Sequence, residues 1–125
     1  MSSLAGLDLL VVEDATDLRE TLVEVVESSG GRAVPSSGGH EAWAMMQHRH
    51  FDAVITDVRM AGGDGLELLR RIQAQAGHRP PVLLISGHAD LKPDEARACG
   101  AAGLLAKPFG MEALLSAIRL ALGRD

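Results

Sequence analysis

Tyrosine is absent, and the aromatic complement of the chain is one tryptophan and two phenylalanines. Base stacking on single-stranded nucleic acid needs more rings than that. Binding through phosphates needs a basic face, yet the 12 lysines and arginines form no run and face 17 acids, for a net charge of −5. Direct contact with nucleic acid is therefore not expected. Cysteine occurs once, as Cys99, which excludes an internal disulfide and a multi-cysteine metal site and leaves a half-buried packing thiol as the expected role. Long apolar runs are missing too: the longest are of strand length and interrupted by charge, so no membrane span is expected. The Met1-Ser2-Ser3 start has no basic region followed by a signal-type apolar stretch, and the expectation is a soluble, cytoplasmic protein.

With 125 residues, 46% of them hydrophobic, the chain suits one domain over residues 1–125 with a sizeable core. Strand-type and helix-type patterns alternate about five times, which favours an α/β fold with a parallel sheet covered on both faces. The strand-type runs are Leu7 to Val12, Arg32 to Val34 ended by Pro35, Ala53 to Asp57, Val82 to Ser86 and Gly103 to Ala106. Between them, Leu18, Leu22, Val25 and Val26 recur at core spacing, as do Ala42, Met45 and Met46, and then Leu66, Leu69 and Ile72. A short, weakly patterned helix is expected around Asp94 to Cys99. The last helix, Met111 to Leu122, is expected to turn Met111, Leu115, Ile118 and Leu122 inward. Ala113, Ala117 and Leu120 fall on another side without charge, which reads first as a helix with small surface residues and second as a face for self-association or an output partner.

Asp57 carries the most chemical information, because it ends a buried-type run and is followed at once by the turn Met60-Ala61-Gly62-Gly63-Asp64-Gly65. The C-terminal ends of strands are where an open α/β sheet places its chemistry. Glu13 and Asp14 end another run, and Ser86 and Lys107 close two more. A carboxylate accepts a phosphoryl group only if negative charge is neutralised, which Mg²⁺ achieves with oxygen ligands; Lys107 would add a positive charge and Ser86 a hydrogen bond. Taken singly, Asp14 divides evenly between helix capping and metal binding, Ser86 reads as a turn residue and Lys107 as a solvated lysine. Together they are complementary and fall at one sheet edge.

Val12-Glu13-Asp14, Ile55-Thr56-Asp57-Val58-Arg59-Met60, Leu84-Ile85-Ser86-Gly87 and Lys107-Pro108-Phe109 resemble the ordered motifs of bacterial response-regulator receiver domains, over about Leu7 to Leu122. That resemblance implies a flavodoxin-like, doubly wound (βα)₅ sheet of strand order 2-1-3-4-5. It implies Asp57 as phospho-acceptor from a sensor histidine kinase or phosphotransfer protein, and Mg²⁺, with Mn²⁺ as a substitute, held by Glu13, Asp14, Asp57 and the backbone carbonyl of Arg59. Ser86 would be the switch hydroxyl, Lys107 the phosphate contact, and the Lys107-Pro108 peptide cis. The sequence departs from the pattern where Met60 is followed by Ala61 instead of proline, and where Leu104 stands in the place of a switch aromatic. Readout is therefore expected to pass through the loop from Ser86 to Pro93, with Leu104 as an apolar contact beside Ala113, Ala117 and Leu120. Arg59 and His88 are expected to tune the lifetime of the phosphorylated state, whereas His40, His48, His50 and His78 read as dispersed surface residues. Trp43 reads as a packing residue.

Two other readings stay open. A Mg²⁺-dependent phosphatase with an aspartate nucleophile would use the same groups, but that class wants a second aspartate where Arg59 stands. A receiver-like interaction module could bind a partner regardless of phosphate. The sequence leaves the kinase, the signal and the output unnamed, and suits a free-standing domain or one cut from a longer protein.

Overall fold

The computed structural model describes residues 3–87 and 91–124. Five strands form one sheet, β1 (Asp8–Val12), β2 (Arg32–Ser36), β3 (Ala53–Asp57), β4 (Val82–Gly87) and β5 (Gly103–Lys107), all parallel and ordered β2-β1-β3-β4-β5. The connections are the helices α1 (Thr16–Ser28), α2 (Gly39–Met46), α3 (Gly65–Ala74), α4 (Pro93–Ala98) and α5 (Met111–Ala121). The order reverses between β1 and β3, so the loops leaving those two strands diverge and open a crevice at the C-terminal edge. Among the described residues no helix is long and apolar enough to cross a membrane.

Alternation along the strands builds two cores. Leu10, Val12, Val54, Val82 and Leu84 pack with Ala42 of α2, Leu68, Leu69 and Ile72 of α3 and Ala96 of α4. Leu9, Val11, Ile55, Leu83 and Ile85 pack on the other face with Leu22, Val25 and Val26 of α1 and Leu114 and Ile118 of α5. The central strands β1, β3 and β4 are buried on both faces, which is why they read as nearly continuous apolar runs. Cys99 is half-buried against the first core, and so is Trp43, whose ring lies 5.8 Å from the Arg71 guanidinium.

Three expectations are corrected. β2 does not end at Pro35 but runs on to Ser36, with Pro35 opposite Val11. Arg32 N–H donates to Leu7 and Ser36 accepts from Glu13 N–H, so the even-numbered residues bond to β1 and Pro35 faces the open edge, where its missing N–H costs nothing. The expected inward face of α5 holds at Leu115, Ile118 and Leu122, which pack toward the core, but Met111, in the first turn, is 62% exposed and Leu114 is buried in its place. Ala117 packs toward the core of α1 and α5, but Leu104 packs toward that of α2, α3 and α4, because alternation along β5 sends Leu104 and Leu105 to opposite faces. Leu104 and Ala117 therefore pack toward opposite faces of the sheet, while Ala113 and Leu120 are exposed.

Candidate functional site

The ends of β1, β3 and β5 bring their side chains together at the crevice. Asp57 is the last residue of β3 and its carboxylate is buried, with Oδ2 accepting from Lys107 Nζ at 2.6 Å. The same ammonium lies 3.9 Å from Glu13 Oε1. Glu13, Asp14 and Asp57 each offer a carboxylate oxygen, and these lie within 4.8 Å of one another. Among the described residues one amine therefore meets the three carboxylates, while the Arg19 guanidinium donates to the Glu13 backbone carbonyl at 2.8 Å. The Lys107-Pro108 peptide that follows is cis.

Burial sets the electrostatics. Glu13 is 1% exposed; its Oε2 accepts from Ala15 N–H, but Oε1 has no hydrogen-bond partner. Burial, opposed by the Ala15 N–H and reinforced by the neighbouring Asp57 carboxylate, pushes the Glu13 carboxyl up to about 7. Asp14 is exposed, and the Ala61 N–H that donates to its Oδ2 at 3.1 Å holds its carboxyl below the usual range. Asp14 does not cap α1: the N-cap is Ala15, which makes no side-chain cap bond. For Lys107, burial works against the charge, but the hydrogen bond and attraction from Asp57 outweigh it and the amine is held above its ordinary value. A buried, unpartnered carboxylate oxygen beside two more acids is the donor set of a hard divalent cation, and Glu13, Asp14 and Asp57 could hold Mg²⁺ or Mn²⁺.

Gly65 opens α3 beneath Asp57, where a Cβ would overlap the Asp57 carbonyl oxygen, so only glycine lets the helix begin so close to the strand end. Asp64 caps that helix by accepting from Glu67 N–H at 2.8 Å. On the other side of β3, Ser86 is buried near the end of β4, but its hydroxyl donates to its neighbour's carbonyl, Gly87 O, at 2.8 Å. It lies at the expected edge, engaged with backbone. Arg59 is exposed just past β3. His88 lies outside the described residues, as does the middle of the loop from Ser86 to Pro93.

Two features escaped sequence reasoning. The rings of His50 and His78 stack at 4.2 Å at the far edge of the sheet, where the loops entering β3 and β4 converge, so these two histidines are not dispersed. Only the parallel topology, which puts both loops at one edge, signals it. The second is the Ala61–Asp14 hydrogen bond. A groove of about 690 Å³ runs along α1 and Pro35 of β2, and its lining does not include the acidic cluster.

Residues 9–119 match the family of response regulator receiver domains. The transcriptional regulatory protein FixJ of Azorhizobium caulinodans is 35% identical over 121 residues, covering 96% of this chain and 57% of that protein. The virulence sensor protein BvgS of Bordetella pertussis is 36% identical over 126 residues, covering 95% of this chain and 10% of the relative. The chain thus spans little more than half of one of these relatives and a tenth of the other. Among solved structures, the chemotaxis response regulator CheY4 of Vibrio cholerae superposes with a TM-score of 0.83 at 29% identity, covering 94% of this chain and 98% of that one. A response regulator receiver protein from Burkholderia phymatum gives 0.80 at 30% identity, covering 94% and 96%. The general function of this family is to take up a phosphoryl group within a two-component system, in partnership with a sensor histidine kinase. With its sheet order, its strand-end acids and this match, the chain belongs to the response regulator receiver domains, signalling modules of two-component systems.

Proposed function

We propose that residues 1–125 act as a single receiver unit in which Asp57 is the phospho-acceptor, loaded by a sensor histidine kinase or a phosphotransfer protein with Mg²⁺ present. The observation that carries this reading is the buried Asp57 carboxylate, fixed at 2.6 Å by Lys107 and flanked by Glu13 and Asp14. When bound by Glu13, Asp14, Asp57 and the Arg59 carbonyl, the cation neutralises charge that would otherwise keep an anionic donor away.

An Asp57 oxygen forms a bond to phosphorus while the N–P bond of phosphohistidine breaks, and the protonated ring leaves as neutral imidazole with the bonding pair on nitrogen. No general base is required, because the carboxylate is already nucleophilic. Lys107 Nζ turns from the carboxylate to a phosphoryl oxygen, and the Ser86 hydroxyl leaves Gly87 O to donate to another. Attack of water on phosphorus breaks the P–O bond to Asp57, restores its carboxylate and releases inorganic phosphate, so the chain catalyses only its own phosphorylation and dephosphorylation. Arg59, two positions after Asp57 in the sequence, and His88, two after Ser86, tune the lifetime of the phosphorylated state. Exposed Met111, Ala113 and Leu120 on α5 are available to a partner or a second copy.

Intact-mass measurement after incubation with acetyl phosphate and Mg²⁺ tests the assignment. One added phosphoryl group is expected in the wild type and none in Asp57→Asn; equal labelling of that variant would overturn it.

A further inference from the structure

Because the residue after Met60 is alanine, the turn leaving β3 keeps a backbone N–H that proline would lack. That N–H donates to Asp14 Oδ2 at 3.1 Å and joins the turn after β3 to the end of β1. The same turn is joined, one and two residues on, to the start of α2: His40 N–H donates to Gly62 O at 3.0 Å and Gly39 N–H to Gly63 O at 2.9 Å. Here backbone touches backbone. A Cβ on Gly38 would sit 2.6 Å from Gly62 O and one on Gly39 2.8 Å from Gly63 O, so only glycine lets the two loops pack backbone to backbone.

We propose that Ala61 is a positioning residue for the cation site: its N–H holds the Asp14 carboxylate beside Glu13 and Asp57 and couples it, through Gly62 and Gly63, to the first turn of α2. The inference rests on the metal-dependent reading above and adds to it. A carboxylate that already accepts a backbone hydrogen bond is oriented before the cation arrives and has less rotamer freedom to lose. Oδ2 keeps a second lone pair and Oδ1 is left for the ion. Filling the site then fixes Asp14, which fixes Ala61, and the glycine contacts carry that order to Gly39 and His40.

The test is Mg²⁺ titration by calorimetry on the wild type, Ala61→Pro and Ala61→Ser, with amide hydrogen exchange read by NMR on the same samples. Loss of a partner that orients a metal ligand typically weakens binding about 10- to 100-fold. Ala61→Pro should bind Mg²⁺ at least about 10-fold more weakly, whereas Ala61→Ser, which retains the N–H, should bind as the wild type does. In the wild type, Mg²⁺ should slow exchange at Ala61, Gly39 and His40 together, a readout that stands even if the proline variant fails to fold. Wild-type affinity in a folded Ala61→Pro, or exchange at these amides that ignores Mg²⁺, would overturn the inference and leave the metal reading intact. Failure of the wild type to bind Mg²⁺ would overturn both.

Discussion

At the edge where the strands begin, Asp8 and Asp52 sit side by side on β1 and just ahead of β3; at the edge where they end, Glu13, Asp14 and Asp57 crowd the same two strands. The first pair is satisfied within the fold. Asp8 Oδ1 accepts from Arg32 Nε, Asp52 Oδ2 accepts from Asp8 N–H at 2.8 Å, and Asp52 N–H donates to Asp8 O at 2.7 Å. The Arg32 hydrogen bond holds the Asp8 carboxyl below the usual range. Among the described residues the second group has one amine beside three carboxylates, a buried oxygen without a hydrogen bond, and in Glu13 a carboxyl raised to about 7 by burial. Both edges use the same residue types, so the difference lies in compensation. An acid satisfied by its own fold holds the fold together, whereas a set left short of positive charge favours whatever cation or proton arrives.

The largest way to sharpen the contrast is to remove the Glu13 charge. With chelator present at pH 8, Glu13→Gln should be more stable than the wild type by on the order of 3 kcal/mol, since burial raises the carboxyl from 4.5 to about 7 and each pH unit corresponds to about 1.4 kcal/mol. The sign follows from proton counting. Between pH 4.5 and 7 the unfolded Glu13 loses its proton while the folded one keeps it, so stability falls as pH rises through that window and levels off above it. Asp8 and Asp14, with lowered values, act in the opposite sense and only in acid, their contribution being lost as pH falls below 3.8. Denaturant melts across pH should show the downward slope between pH 4.5 and 7 in the wild type and its loss in Glu13→Gln. A wild-type profile that rises through the window would break the comparison.

A smaller effect is expected at the opposite edge. Asp52→Ala removes the acceptor of the Asp8 N–H and should cost about 1 kcal/mol in urea melts, with no dependence on Mg²⁺. A Mg²⁺-dependent loss there would mean that the two edges are not independent.

How much of this was legible in the sequence differs by residue. Asp57, Glu13 and Lys107 could be placed because each ends an apolar run, and in a parallel sheet all such ends lie at one edge. Helical spacing found the core face of α1 and, in α3, Leu69 and Ile72, but not Leu68, which is buried more deeply than the expected Leu66. Pro35 misled because a proline reads as a stop unless its strand is known to be an edge. On α5 the spacing found Leu115, Ile118 and Leu122 but chose Met111 over Leu114, two apolar residues that differ in burial and not in type. The Ser86 hydroxyl was placed at the correct edge, but which group it bonds depends on backbone geometry that residue types do not encode. The stacking of His50 on His78 and the Ala61–Asp14 bond join residues 28 and 47 positions apart, and only the assembled fold brings them together.

The most direct measurement is a set of thermal melts with and without millimolar Mg²⁺ on the wild type, Asp14→Asn and Asp52→Ala. A cation that binds only the assembled site raises the melting temperature by mass action. The wild type and Asp52→Ala should gain stability equally on adding Mg²⁺, and Asp14→Asn should gain much less. Equal gains in Asp14→Asn and the wild type would place the ion elsewhere and contradict the claim that the C-terminal edge is built short of positive charge in order to take it up.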